Sequence, residues 1–409
     1  MSHIKNLPYS QIISYLFVLL AFSIPISKAL TSISLVLLFL VWCIEGQWEK
    51  KYLIIKQNVL IRVIFLLILL SFISTLWSPS FHYALSFNFR KYWYFLIFPV
   101  ILTSFDIKYA KYVINGFLSG MFISEMISYG IYFGLWSVNH KLPSDPSPFM
   151  DHTAYSTYLA VTLILIAVKF YQSSSNKWKI FYSLYFLTAM SNLFINGGRT
   201  GQVGFIVTVV VLAIIYFKSL KSIFLAFAFL IVTLIGAYSI SPNFHNRADQ
   251  LRSDVDAGYY QKDYNGSLSR RYALWRIGTD IFLTHPLLGV GIKGDMQLRN
   301  VYCTRYGFPK DFFKGYLDYH NTFVQYAVQL GILGLIAFIA ILYIVATLNF
   351  KTKEYKIIAT AFISIFVCHS FTGFSFGLMN PVTLFCVFVP LLNTISYRQC
   401  LSKPFSQIN

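Results

Sequence analysis

The chain has 409 residues, of which 56% are hydrophobic, 19% aromatic and 12% charged, and its mean hydropathy is +0.61. Ordinary soluble domains carry roughly 25% charged residues, so the composition indicates an integral membrane protein and excludes a disordered, collagen-like or disulfide-stapled chain. The 33 Lys and Arg against 15 Asp and Glu belong first to cytoplasmic loops, and nucleic acid is not an expected partner.

A membrane-crossing helix needs about 20 mostly apolar residues. By that rule the chain reads as an all-α polytopic membrane protein with about twelve spans, over roughly 10–27, 29–45, 59–77, 92–104, 113–136 and 154–171, then roughly 180–196, 201–217, 223–241, 321–349, 357–377 and 382–397. The opening MSHIKNLPYSQ has no small-residue cleavage site after it, so the first run is expected to be retained. The spans at 92–104 and 382–397 are short. Most Lys and Arg of the short connections, from Lys5, Lys50 and Lys51 through Lys218 to Arg398 and Lys403, fall on one side; Lys28, Arg90, Lys91, Lys141 and Arg199 fall on the other. The bias puts both termini in the cytoplasm.

The expected layout is nine spans over 1–241, a large periplasmic loop over 242–319, three spans over 320–397 and a cytoplasmic tail over 398–409. The loop carries Asp249, Asp254, Asp256, Asp263, Asp280, Asp295, Asp311 and Asp318 among basic residues. Leu274, Ile277 and Ile281 sit at helical spacing, predicting a helix over 269–283 that ends at His285-Pro286. A structureless loop of this length is uncommon, so a small helical lid is expected. Ser173-Ser174-Ser175 reads as a connector.

Three familiar patterns lack their structural context. Gly289-Val290-Gly291-Ile292-Lys293-Gly294 fits a dinucleotide fingerprint but follows a helix, with no βαβ unit. Gly373-Phe374-Ser375-Phe376-Gly377 ends a membrane helix instead of forming a strand-to-helix elbow and reads as packing. Asp254-Val255-Asp256 resembles a metal-binding D-x-D, but nucleotide sugars are absent outside the cytoplasm, and a solvated turn is expected. Cys43, Cys303, Cys368, Cys386 and Cys400 form no zinc or disulfide pattern, so neither metal nor cofactor is expected.

The basic clusters carry more. Asn196-Gly197-Gly198-Arg199-Thr200-Gly201 puts an arginine at the mouth of a helix pair, with glycines that let the backbone approach a ligand closely; a snorkelling arginine is the alternative. Arg270, Arg271 and Arg276 lie on the lid helix, as a solvated basic face or as phosphate ligands, since the guanidinium fork suits phosphate oxygens. Asp318-Tyr319-His320-Asn321 places an imidazole, with an ordinary pKa of about 6.5, at the start of a span. Glu125, in mid-span, reads as a structural partner for an arginine or as a polar helix contact.

His320-Asn321, nine residues, then Gly331 resembles the H-[NSQ]-x9-G motif of bacterial O-antigen ligases, a superfamily shared with O-antigen polymerases and protein O-oligosaccharyltransferases. The Gly198-Arg199 turn, Arg271-x-x-x-Trp275 and His285-Pro286-Leu287-Leu288-Gly289-Val290-Gly291 resemble the same superfamily's central region. The resemblance implies a metal-independent, inverting transferase at the periplasmic face of the bacterial inner membrane. Its donor would be a glycan on undecaprenyl pyrophosphate, and its acceptor a sugar hydroxyl of lipid A-core. Carried over by position, His320 would be the general base, and Arg199 with Arg271 would hold the pyrophosphate. Arg270 is the adjacent alternative, and Arg276 is left open. Asp318 would orient His320 only if the two did not share a helix, where residues two apart face away from each other. A polymerase would use the same donor. Protein oligosaccharyltransferases often carry further soluble sequence after the motif, so the short tail to Asn409 counts against that expectation. A flippase would favour repeated halves, which are not visible.

Overall fold

The computed structural model describes residues 8–216, 219–260, 264–309 and 312–401. Lys5, Lys218, Asp263, Asp311 and Lys403 lie outside the described residues. Apolar runs interrupted by polar turns fold into seventeen α-helices among the described residues. They are α1 (Tyr9–Ser23), α2 (Lys28–Glu45), α3 (Trp48–Gln57), α4 (Val59–Ile73), α5 (Phe81–Tyr92), α6 (Ile97–Ser104), α7 (Ala110–Tyr132), α8 (His152–Gln172) and α9 (Asn176–Ile195). Then come α10 (Arg199–Tyr216), α11 (Leu220–Ile240), α12 (Pro242–Tyr260), α13 (Ser267–Thr284), α14 (Asp295–Arg305), α15 (Thr322–Ala346), α16 (Lys353–Thr372) and α17 (Met379–Leu401). No strand occurs among the described residues.

Side chains with a short polar arm start several of these helices by satisfying an orphan backbone N–H. The Ser27 hydroxyl accepts from Leu30 at 3.2 Å, Asn58 from Ile61 at 3.1 Å and Asp151 from Ala154 at 3.0 Å. The Ser173–Ser175 connector separates α8 from α9, as the sequence indicates.

Eight helical segments among the described residues are long and apolar enough to cross a membrane, against the twelve expected. Of the other four, α1 is apolar but has only 15 residues. The stretch 92–104 is divided: α5 ends at Tyr92, a 3-10 turn covers Trp93–Leu96, and α6 has eight residues. Both α7 and α9 form over the expected segments, but polar residues such as Asn115, Ser124, Glu125, Lys177, Lys179 and Asn192 dilute their apolar character.

The outer surface explains the composition. Leu225, Ile231, Val232 and Ile235 of α11 are more than half exposed, as are Ile33, Leu69 and Ile336 on other helices. A soluble monomer rarely presents so large an apolar surface; hydrocarbon is the solvent that fits it. Inside, Phe95, Phe98, Phe366, Phe376, Phe385 and Phe388 interlock, with ring centroids such as Phe366–Phe385 and Phe376–Phe385 both 4.8 Å apart. This aromatic core ties α6, α16 and α17 to α15, where Phe338 meets Phe376 at 5.5 Å.

Among its described residues, segment 242–319 contains three helices. The helix expected over 269–283 is α13, closed at His285 as the proline requires. A second apolar core, built from Ala273, Leu274, Ile277, Ile281, Val290, Tyr302, Cys303, Phe313, Tyr319 and Val328, joins α13 and α14 to α15. Gly278 makes the join possible, because a Cβ there would lie 2.5 Å from Val324. One expectation is corrected. Asp254-Val255-Asp256 is on the helix α12, not in a turn, and the Asp254 carboxylate accepts from the backbone of Leu268 at 3.2 Å. A polar helix has no apolar stripe, so periodicity does not reveal it.

Candidate functional site

The site is organised by a break in α15. Gly331 stands at φ 65° and ψ −159°, a conformation essentially reserved for glycine. The break frees backbone groups that an apolar setting cannot leave unpaired, and the segment after α13 takes them up. Val290 N donates to Val328 O at 2.9 Å, Gly291 N to Gln329 O at 3.0 Å, and Ile332 N to Pro286 O at 2.7 Å. The two backbones are so close that a Cβ on Gly331 would lie 2.3 Å from Leu287 O, and one on Gly289 2.5 Å from Val328 O. The His-Pro-Leu-Leu-Gly-Val-Gly segment and the glycine eleven residues after His320 are therefore one interlocked unit. The G-x-G-x-x-G pattern serves this join.

His320 is held at the start of that unit. Asn321 caps α15, its side-chain oxygen accepting from Phe323 at 2.9 Å and Val324 at 3.1 Å. His320 precedes it in a left-handed turn at φ 47°. The segment leading in is gripped from four directions. Arg299 donates to Tyr316 O at 2.9 Å and Lys293 to Leu317 O at 2.9 Å. Gln325 accepts from Tyr319 N at 3.0 Å, and the Trp275 indole donates to Tyr319 O at 3.0 Å. Arg299 is itself fixed by buried Asp295 at 3.4 Å, whose other oxygen accepts from Gln329 at 3.2 Å. These contacts tie the segment 316–319 to α13, α14 and α15.

Asp318 does face His320, because neither residue is on a helix. Its Oδ1 accepts from His320 N at 2.7 Å and lies 3.8 Å from Nδ1, which is too long for a hydrogen bond but close enough to orient the ring. Tyr316 packs edge-on to the imidazole at 5.4 Å. Burial pushes the imidazole below its usual pKa; Asp318 opposes this and Arg271 adds to it. The ring is consequently neutral at pH 7, and about a third of the side chain remains exposed.

The arginines divide by environment. Arg271 acts on His320 and also lies within electrostatic reach of Arg199, so it links the two. Its pKa is pushed down by burial and held up by Tyr316 and Asp318. Arg270 points along another path: its guanidinium lies over Phe312 at 5.0 Å and Tyr316 at 5.8 Å, bonded to the Tyr316 hydroxyl at 3.4 Å and Asn265 at 3.4 Å. Arg276 is stacked on Tyr306 at 4.4 Å beside a cavity of about 420 Å³ lined by Tyr264, Tyr272 and Phe308, away from the imidazole. Glu125 is buried on α7 with no ion pair among the described residues, so of its two expected readings the arginine partner is not found there.

The glycines around Arg199 work differently than expected. A Cβ on Gly198 would lie 2.2 Å from His152 O, and one on Gly201 2.0 Å from Ser156 O. They let α10 press against α8, which sets the arginine at the helix mouth. Ser375 of the G-x-S-x-G pattern is fully buried, bonded to His369 at 2.9 Å and Ser370 at 2.9 Å. Its backbone N–H donates to Thr322, the first residue of α15, in keeping with packing.

Sequence reasoning missed Arg247, Lys91 and Lys293. Arg247 is the cation beside Gly197 and acts on Arg199; it lies in a polar helix without a motif. Lys293 sits inside a pattern set aside for lacking a strand. Its left-handed backbone, at φ 65°, places it 7% exposed over the rings of Tyr83 and Phe87 at 5.9 and 5.0 Å.

Fold and site define a polytopic helical membrane protein with a basic cluster and a neutral histidine at one end of its bundle. Residues 184–339 match the family model described as O-Antigen ligase. The matched stretch contains Arg199, Arg247, Arg270, Arg271, Lys293, Asp318, His320 and the Gly331 break. No curated protein matches the chain.

Proposed function

We propose that the protein is an inverting glycosyltransferase of the O-antigen ligase type, acting at the periplasmic face of the bacterial inner membrane. Its donor is a glycan on undecaprenyl pyrophosphate and its acceptor a sugar hydroxyl of lipid A-core. The observation that carries this reading is Arg271, which acts on a neutral imidazole beside Asp318 and also lies within electrostatic reach of Arg199.

With its N–H at Nδ1 toward Asp318, His320 presents Nε2 as a base. The acceptor hydroxyl gives its proton to Nε2 while its oxygen bonds to the anomeric carbon. The bond from that carbon to the pyrophosphate oxygen breaks, and the electron pair leaves with the pyrophosphate. A positioned base is worth about 10²–10⁴ in rate. The leaving group departs as an anion, so it needs positive charge more than a proton. Each arginine contact supplies about 1.5–3 kcal/mol, provided that it strengthens as charge develops. This division of labour needs no pair of carboxylates of the glycosidase kind.

Reconstituted protein given undecaprenyl-pyrophosphate-linked glycan tests the reading. Transfer to lipid A-core supports a ligase. Joining of two lipid-linked glycans, with lipid A-core left bare, would replace it by a polymerase. Glycolipid movement across the bilayer without bond formation would replace it by a transporter.

A further inference from the structure

Asp318 is shared by two groups of cations. On one side its charge acts on Arg271 and His320. On the other it acts on Lys91 and Lys293, which line a separate cavity of about 230 Å³ with Arg90, Tyr83, Phe87 and Phe374. This second pocket lies between α5, the turn after Gly291 and the segment joining α16 to α17.

Its charge balance is uneven. Arg90, Lys91 and Lys293 make no ion pair among the described residues. The carboxylate in the lining, that of Asp318, is already bonded to the backbone of His320. Lys293 spends one N–H on Leu317 O and Arg90 one on Ser86 O, leaving most donors of the three free. Like charges held together repel, and burial together with the neighbouring cations lowers the pKa of Lys91. A dianion entering the cavity would relieve both penalties. The neighbourhood also favours an amphiphile: Phe81, Tyr83 and Phe89 of α5 are 42, 42 and 61% exposed, so the pocket adjoins an aromatic surface of the kind that sits at a lipid interface. Arg90 and Lys91 lie outside the stretch that matches the family.

We propose that Arg90, Lys91 and Lys293 form a second anion site, which takes a phosphate group of the acceptor glycolipid while Arg199 and Arg271 take the pyrophosphate of the donor. The inference rests on the transferase reading for its meaning but not for its detection. Two anions on either side of Asp318 bring donor and acceptor to the same imidazole, and they give the enzyme a charge-based way to recognise its acceptor.

The test uses full-length protein in nanodiscs with bisphosphorylated and dephosphorylated lipid A as probes, counted by native mass spectrometry. Arg90→Gln/Lys91→Gln should retain the phosphorylated probe about tenfold less well than wild type, the size of one charge-assisted contact. The dephosphorylated probe should not distinguish the two proteins. Lys293→Gln is the second variant, read alongside the thermal midpoint because Lys293 also holds Leu317. In turnover, the KM for acceptor should rise about tenfold and that for donor should stay unchanged. Equal retention of both probes, displacement of the probe by phosphatidylglycerol at equal concentration, or a rise in donor KM instead would each overturn the second site. Charge-dependent retention in a protein that transfers no glycan would sink the transferase reading and leave the site standing.

Discussion

Gly331→Ala tests the join on which the site depends. Alanine at φ 65°, ψ −159° costs about 1–3 kcal/mol in backbone strain. Its Cβ would also sit 2.3 Å from Leu287 O, so the segment 286–291 must withdraw. With it go three backbone hydrogen bonds, those of Val290, Gly291 and Ile332, each worth roughly 0.5–1.5 kcal/mol. The expected loss is about 3–7 kcal/mol, a large share of a typical domain's stability. In a thermal scan of the detergent-solubilised protein the midpoint should fall by on the order of 5 °C or more. The displaced segment leads into Lys293, which holds Leu317, so the turn carrying His320 loosens as well. A misplacement of about 1 Å lowers turnover on the order of 10²-fold. Gly236→Ala is the control: a Cβ there meets nothing within 4 Å, and within α11 it should be neutral or stabilising by about 0.5–1 kcal/mol. A Gly331→Ala protein that melts and turns over like wild type would refute the interlock.

Asp318→Asn and Arg271→Ala should move the acid limb of the kcat/KM profile in opposite directions. In the proposed mechanism His320 works as the neutral base, so the rate should fall as pH drops through its pKa, which lies below the usual value. Asp318 raises that pKa, so removing its charge shifts the limb to lower pH; Arg271 lowers it, so Arg271→Ala shifts the limb upward. Limbs that move together would contradict the electrostatic assignment. Arg199→Ala should raise the KM for donor about 10–100-fold with the KM for acceptor unchanged, measured by initial rates in proteoliposomes. Lys51 is 4% exposed, bonded to Trp42 O at 2.7 Å and Glu45 at 2.8 Å. Lys51→Ala leaves Glu45 without its cation and should cost about 3–5 kcal/mol, whereas Lys51→Met with Glu45→Leu should recover most of the thermal midpoint.

Helix positions were legible where apolar runs meet polar turns, and α13 was legible from Leu274, Ile277 and Ile281 together with the proline after it. The break in α15 was not, because residues 322–346 are apolar throughout and a single glycine in such a run does not declare its backbone angles. Asp318 and His320 could be related only once the left-handed turn at His320 took both off the helix. The resemblance to the ligase motif pointed to the imidazole and two arginines. Arg247 and Lys293 stayed hidden, since only the folding of α12 and of the turn after Gly291 brings them to the cluster. The four-way grip on residues 316–319 joins Trp275, Lys293, Arg299 and Gln325, which no local pattern groups.

The central claim, that an imidazole takes the acceptor's proton beside arginine-bound pyrophosphate, is tested most directly by glycan transfer in His320→Ala. The variant should reach the membrane, keep the wild-type melting midpoint and retain donor affinity, while transfer to lipid A-core falls by about 10²–10⁴. Transfer at the wild-type rate by that folded variant would contradict the account.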